Sequence, residues 1–205
     1  MTTKPGCSSS IALLTAAFIG AAVLPTLQAC APMVVAAGVG AGVGAGALVA
    51  TDRRSAGSQV DDEAIEVKLA TNINNRWGNT VHVNVTSYNG VVLLTGEVPD
   101  AATKAALAEL ARTTDRVRRV HDEIAVRAPT PMSERTNDTY ITSKVKARFV
   151  EAKSFSANHV KVVTEQNVVY LMGIVRPVEG DEAVHIARTT SGVERVVKLF
   201  EYFQG

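Results

Sequence analysis

Basic side chains gather in the stretch 137–150, NDTYITSKVKARFV. Ile141, Val145 and Phe149 recur at helical spacing and predict the buried stripe of a helix, for which Asn137 is the expected N-cap. The outer face of this helix is expected to carry Tyr140, Lys144, Lys146, Arg148 and Val150. Each basic residue near anionic lipid contributes on the order of 1 kcal/mol of binding energy, and exposed apolar and tyrosine side chains suit the interface. The pattern predicts binding to an anionic phospholipid membrane.

A solvated basic face is the alternative for the same stretch. In that case Val150 would cover a contact between domains, and Tyr140 would pack on the other half of the chain. The two interpretations differ in whether these two side chains face solvent or protein.

No catalytic or metal-binding constellation accompanies the basic stretch. The only cysteines, Cys7 and Cys30, precede all charged residues after Lys4, which excludes a disulfide framework and cysteine-based zinc sites from the charged part of the chain. No serine lies in a nucleophile elbow, and a net charge of +1 creates no field for nucleic acid. We therefore predict a binding protein without enzymatic activity or a cofactor.

The N-terminus has the features of an export signal. Residues 1–29 contain Lys4, an apolar run and small residues near their end. The sequence LQAC at 27–30 resembles the bacterial lipobox, in which cleavage precedes a cysteine that becomes lipid-modified. Cys30 is thus the expected lipidation site, unless the signal is an ordinary one with an incidental cysteine. Ala31, which is not aspartate, favours the outer membrane.

Residues 30–60 are predicted to connect the lipid anchor to the folded part. Glycines stand at every second position from 38 to 46, and no Lys-Ser/Thr pair follows as in a phosphate loop. Their spacing fits a flexible tether on the bilayer or, alternatively, the small-residue contacts of packed membrane helices. The polar segment 51–59 is predicted to continue this linker.

The rest of the chain contains an internal repeat. VHVNVTSYNGVVLLTGEV from Val81 aligns with NHVKVVTEQNVVYLMGIV from Asn158. We predict domains at 61–128 and 137–205 with a linker at 129–136. Each is predicted to run helix, strand, strand, helix, strand, which gives an α+β fold with a small three-stranded sheet packed by two helices. The first helices are predicted at 61–74 and 137–150, and the second strands at 91–98 and 168–175.

Turn residues support this division of the repeat. Tyr88-Asn89-Gly90 and Glu165-Gln166-Asn167 predict the hairpin turns, with Gly90 free to take a positive φ and Asn167 as its substitute in the second copy. Gly96 and Gly173 lie at equivalent points inside the second strands, which suggests a bulge or a close approach of another backbone.

The first helices of the two copies differ in charge. The helix at 61–74 carries Asp61, Asp62, Glu63 and Glu66 against Lys68, whereas residues 140–150 carry three bases and no acid. An acidic helix would be repelled by anionic lipid, so the membrane-binding function is assigned to the second copy.

The helix, the alternating-valine strand, the hairpin, the interior glycine and the closing strand resemble the BON domain. Two such domains behind a lipobox and a Gly/Ala tether are similar to dual-BON outer-membrane lipoproteins. The resemblance implies anionic phospholipid binding through the second domain, enrichment at division sites and a role in outer-membrane integrity. Tyr140 stands where the family has tryptophan, which implies a weaker interfacial anchor.

The expected function is that of a monomeric, lipid-anchored protein on the periplasmic face of the outer membrane, with phospholipid as its partner. The alternative is an adaptor that docks on an envelope assembly machine or a peptidoglycan-remodelling factor.

Overall fold

A computed structural model describes residues 52–203. Cys30, the signal sequence 1–29 and the tether up to Thr51 lie outside the described residues, so their predicted roles stay predictions.

The first copy contains α1 (Ala56–Trp77), β1 (His82–Tyr88), β2 (Val91–Val98), α2 (Ala101–Arg112) and β3 (Arg119–Val126). The second contains α3 (Met132–Ala152), β4 (Val160–Glu165), β5 (Val168–Val175), α4 (Pro177–Arg188) and β6 (Arg195–Tyr202). In each sheet the second strand is central, antiparallel to the first and parallel to the third. The predicted element order and α+β class are confirmed.

The first helices begin earlier than the sequence pattern predicts. The side-chain oxygen of Ser55 accepts a 3.0 Å hydrogen bond from the Ser58 N–H, so α1 begins at Ala56 inside the predicted linker. α3 follows Pro131 and includes most of the predicted linker 129–136. Asn137 therefore lies inside the helix, and its prediction as the N-cap is wrong. No helix within residues 52–203 is long and apolar enough to cross a bilayer.

A buried aspartate in each first helix accepts hydrogen bonds from the backbone of the hairpin turn and so stabilises the turn. Asp138 accepts hydrogen bonds from the backbone N–H groups of Gln166 and Asn167, both at 2.9 Å. Asp62 accepts from the N–H groups of Asn89 at 2.7 Å and Gly90 at 2.8 Å. These N–H groups would otherwise lack a partner at the turn, because its residues have positive φ and leave the strand ladder.

The helices cover one face of each sheet, and the helix-free faces of the two sheets meet. Val92 and Leu94 of β2 point into the core under α1 and α2, whereas Val91 and Leu93 point toward the other copy. All eight residues of β2 are consequently buried. The cluster between the sheets consists of Tyr88, Val91, Leu93, Tyr170 and Met172.

Candidate functional site

The outer face of α3 exposes two large side chains. Ile141, Val145 and Phe149 are buried as predicted, with at most 1% of their surface exposed. On the same helix Tyr140 is 62% exposed and Val150 is 68% exposed. Neither is buried at the contact between the two copies, so the alternative in which both pack against protein does not hold.

The three predicted cations of α3 differ in their surroundings. Lys146 is exposed and has no hydrogen bond or ion pair within residues 52–203. The Lys144 ammonium lies 4.6 Å from the centre of the Tyr140 ring and donates to the Ser191 carbonyl oxygen. The ammonium thus keeps its charge near the outer face but is tied to the loop after α4.

Arg148 is engaged at the C-terminal end of α4. Its guanidinium donates to the Ile186 carbonyl oxygen at 2.8 Å and to the hydroxyls of Thr190 at 2.7 Å and Thr189 at 3.0 Å. A cation at this end of a helix satisfies carbonyl groups that lack helical partners. Arg148 therefore holds the second copy together, and its positive charge is directed less toward solvent than the sequence pattern indicated.

The acids of α1 are also largely paired, which sequence analysis missed. Arg116 donates to Asp61, and Asp62 binds the hairpin turn. Glu66 accepts from the Lys161 ammonium of β4 at 2.7 Å and from the Ser87 N–H at 2.7 Å. The contrast between the outward charges of α1 and α3 is consequently smaller than composition suggests.

A surface pocket of about 380 Å³ lies beside Lys146 and Val150. Arg54, Tyr88 and Lys161 also line it, so both copies contribute to its wall. Lys161 is paired with Glu66, and Arg54 is paired with Asp52 and Asp62. Within the described residues, Lys146 is the one basic side chain of this wall that has no carboxylate partner.

The residues just before α1 form what we call the arginine clasp, Asp52, Arg53 and Arg54. Arg53 donates a two-pronged hydrogen bond to the Glu179 carboxylate of α4, at 2.5 and 2.9 Å, and a further one to the Ile174 carbonyl oxygen at 3.0 Å. Its guanidinium carbon lies 4.4 Å from the centre of the Phe203 ring.

Arg54 turns toward the first copy instead. It donates to the Asp62 carboxylate at 2.9 Å and to that of Asp52, and its guanidinium carbon lies 4.1 Å from the centre of the Tyr88 ring. Two adjacent arginines thus bind different copies. The segment 51–59 was predicted to be linker, and that prediction is wrong for residues 52–59, because they are bound to the fold or belong to α1.

Glu179 makes the stability of the second copy depend on pH. The hydrogen bonds from Arg53 hold the pKa of the Glu179 carboxyl far below its usual value of 4.5, although burial acts in the opposite direction. A carboxyl with a lowered pKa stabilises the fold fully above its unfolded-state pKa and loses this contribution as the pH falls below it.

We therefore expect Glu179→Gln to lower the free energy of unfolding at pH 7 by about 2 kcal/mol, because charged hydrogen bonds are lost. Below pH 4.5 the difference from wild type should shrink. Urea titrations followed by circular dichroism at neutral pH and at successively lower pH values measure both effects. Glu182→Gln is the matched control, since Glu182 lies on the same helix without an ion pair in the described residues. A constant difference across this range would contradict the assignment.

The sequence of the chain matches known proteins. The BON domain family matches at residues 61–128 and 137–202. The chain is 35% identical over 178 residues to the outer membrane lipoprotein DolP of Haemophilus influenzae, covering 86% of this chain and 90% of that protein. It is 34% identical to the 21 kDa hemolysin of Actinobacillus pleuropneumoniae, covering 75% and 80%. It is 30% identical to the osmotically-inducible protein Y of Escherichia coli, covering 74% and 78%.

Both family matches coincide with the two structural copies, and each copy has the same helices and three-stranded sheet. The chain therefore belongs to the BON domain family and carries two BON domains in tandem.

Proposed function

We propose that this chain is an outer-membrane lipoprotein, anchored through Cys30, whose second BON domain binds anionic phospholipid with the outer face of α3. It acts by binding, without catalysis, and supports outer-membrane integrity at division sites. The proposed order is a signal at 1–29, a lipidated tether at 30–51, and two BON domains whose first helices begin at Ala56 and Met132. The similarity to DolP, an outer membrane lipoprotein, supports the location.

The observation that carries the proposal is an apolar side chain exposed next to an unpaired base. Val150 is 68% exposed, and Lys146 has no partner within residues 52–203. An exposed valine in water stabilises nothing, whereas its transfer into lipid is favourable by about 1.5 kcal/mol or more. Tyr140, Lys144 and Arg148 add an interfacial ring and two further positive charges, although the charges of Lys144 and Arg148 are partly used inside the domain.

We expect the fragment Asp52–Gly205 to bind phosphatidylglycerol vesicles more tightly than phosphatidylcholine vesicles, and added salt to weaken the binding. Val150→Glu should weaken it at least about tenfold, because it removes apolar burial and adds repulsion. Lys146→Glu should weaken it by about thirtyfold, since it changes two units of charge. Vesicle co-sedimentation measures each.

Val67→Glu is the matched control, because Val67 is 56% exposed at the outer face of α1 in the other BON domain. It should bind like wild type. If both α3 variants also bind like wild type, the lipid-binding face lies elsewhere. Retention of a crosslinked envelope protein by those variants would favour the adaptor function instead.

A further inference from the structure

We propose that the outer edge of β6 is a docking site for an extended acidic segment of a partner protein, which adds to the sheet of the second BON domain as a fourth strand. None of the residues that form this edge belongs to α3. The inference therefore goes beyond the proposed lipid binding and does not depend on it.

The outer edge of β6 carries backbone groups that have no partner. β6 is an edge strand, because β5 is the central strand of its sheet. The N–H of Phe203, directly after β6, donates to the Val175 carbonyl oxygen at 3.3 Å, so the odd-numbered residues of β6 face β5. The even-numbered residues, from Val196 to Tyr202, direct their N–H and C=O groups away from the sheet. None of these groups has a hydrogen bond within residues 52–203.

The equivalent edge of the first BON domain is closed by side chains of that domain. The Asp122 carboxylate accepts a hydrogen bond from the outward N–H of Ile124 at 3.1 Å, and the Lys104 ammonium donates to the Ile124 carbonyl oxygen at 2.6 Å. The second domain has Lys198 and Gly180 at the positions of Asp122 and Lys104. A lysine cannot accept from an N–H group, and a glycine has no side chain to donate from. The edge of β6 therefore stays open where that of β3 is closed.

A basic groove of about 520 Å³ lies between α4 and β6. Three cations line it, Arg188 of α4 and Arg195 and Lys198 of β6. All three are exposed, and none has a side-chain hydrogen bond or an ion pair within residues 52–203. Glu194 also lines the groove, and its carboxylate accepts from the Asn167 amide at 3.1 Å. The net positive charge favours a partner with acidic side chains.

The open backbone and the charge together select the occupant. An extended peptide offers the row of N–H and C=O groups that a free strand edge can pair with, and a lipid headgroup does not. β6 of a second copy would bring Arg195 and Lys198 close to like charges, which disfavours pairing between copies. Residues 1–51 contain no acidic side chain, so this part of the chain does not supply the charges. An acidic segment of another protein satisfies both requirements.

The test uses the full chain in neutral detergent micelles and a fluorescein-labelled octapeptide of alternating glutamate and valine. Fluorescence anisotropy measures the affinity. We expect this peptide to bind at least about tenfold more tightly than an octapeptide of alternating lysine and valine, because the groove repels cations. Methylation of every amide nitrogen of the glutamate peptide should weaken binding at least about tenfold, since the charges remain but the backbone donors are lost. In NMR hydrogen exchange, the bound peptide should slow exchange of the Lys198 and Phe200 amides.

Variants of β6 separate the contribution of charge from that of the open edge. Lys198→Asp should weaken binding at least about tenfold, because it reverses a charge and places a carboxylate beside the outward N–H of Phe200, as at the edge of β3. Lys198→Gln removes the charge but leaves the edge open, and should weaken binding by about threefold. Arg119→Gln is the matched control, since Arg119 in β3 holds the position of Arg195 in β6. It should bind the peptide like wild type.

Equal affinity for the methylated and unmethylated peptides would overturn the proposal, because charge alone would then explain the binding. Absence of peptide binding would overturn it as well. In that case weaker binding of Lys198→Asp to phosphatidylglycerol vesicles would assign the groove to lipid, and a dimer that Lys198→Asp abolishes in sedimentation velocity would assign the edge to a second copy. Val150→Glu, which tests lipid binding by α3, should leave the peptide affinity unchanged, so the two proposals can fail separately.

Discussion

Replacing Gly96 with alanine is expected to destabilise the first BON domain by about 4 kcal/mol, enough to unfold a marginal domain. An added Cβ would lie 2.0 Å from the His82 carbonyl oxygen of the neighbouring strand, and the backbone at Gly96 has a φ of +112°. Backbone atoms of a paired strand cannot move aside without breaking the sheet. Trp77 is the only tryptophan and packs on the first core, so its fluorescence during urea denaturation reports this domain.

Two further glycine-to-alanine substitutions serve as comparisons for Gly96→Ala. Gly173→Ala should damage the second domain less, because its Cβ would lie 2.3 Å from the His159 carbonyl oxygen but no positive φ is involved. Gly57→Ala should be neutral or stabilising, since the nearest atom is the Ser55 side-chain oxygen at 3.7 Å. Equal urea midpoints for Gly96→Ala and Gly57→Ala would show that the strands do not approach this closely.

Asp62→Ala is expected to lower the free energy of unfolding by about 3–5 kcal/mol, which is more than the loss from Asp138→Ala, at about 2 kcal/mol. Both variants leave two turn N–H groups without an acceptor. Asp62 also accepts hydrogen bonds from the Ser87 hydroxyl at 2.7 Å and from Arg54 at 2.9 Å, so its removal leaves more donors without an acceptor. The pKa of its carboxyl is lowered: burial raises it, but the hydrogen bond from Gly90 and those from Ser87, Asn89 and Arg54 outweigh burial.

Urea denaturation followed by both Trp77 fluorescence and circular dichroism distinguishes the two aspartates. Asp62→Ala should shift the fluorescence transition directly, whereas Asp138→Ala should first affect the second domain. Asp62→Asn is the conservative control, because it keeps the volume and one acceptor oxygen and should fall between wild type and alanine. A larger loss from Asp138→Ala than from Asp62→Ala would contradict the hydrogen-bond accounting.

The strands and turns could be predicted from sequence because their signals are local. The second strands have the predicted bounds, and Gly90 and Asn167 adopt the positive φ that was expected of them. The starts of the first helices could not be predicted in this way. The predicted starts already include Asp62 and Asp138, but the turns before them, 56–60 and 132–136, contribute no buried residue, so no apolar stripe marks them in the sequence.

The candidate site was predictable only in outline. The exposure of Tyr140 and Val150 follows from their helical spacing relative to the buried residues, and this spacing can be seen in the sequence. The hydrogen bonds of Arg148 depend on where the C-terminal end of α4 lies. The ion pair between Glu66 and Lys161 joins residues 95 positions apart in two different domains. Such contacts depend on how the two sheets pack, and a repeat pattern carries no information about that arrangement.

The contact between the two sheets has a consequence for how the copies could diverge. Leu93 in β2 and Tyr170 in β5 occupy equivalent positions, and both lie in the shared cluster, so the copies meet through the same face, as identical subunits do in a two-fold dimer. Here both subunits belong to one chain, and their association does not depend on protein concentration. The helix-free faces of the two sheets must stay complementary to each other, but the outer surfaces of the helices are not under this constraint. A covalent dimer of this kind can keep one half as an acid-paired support while the other half specialises.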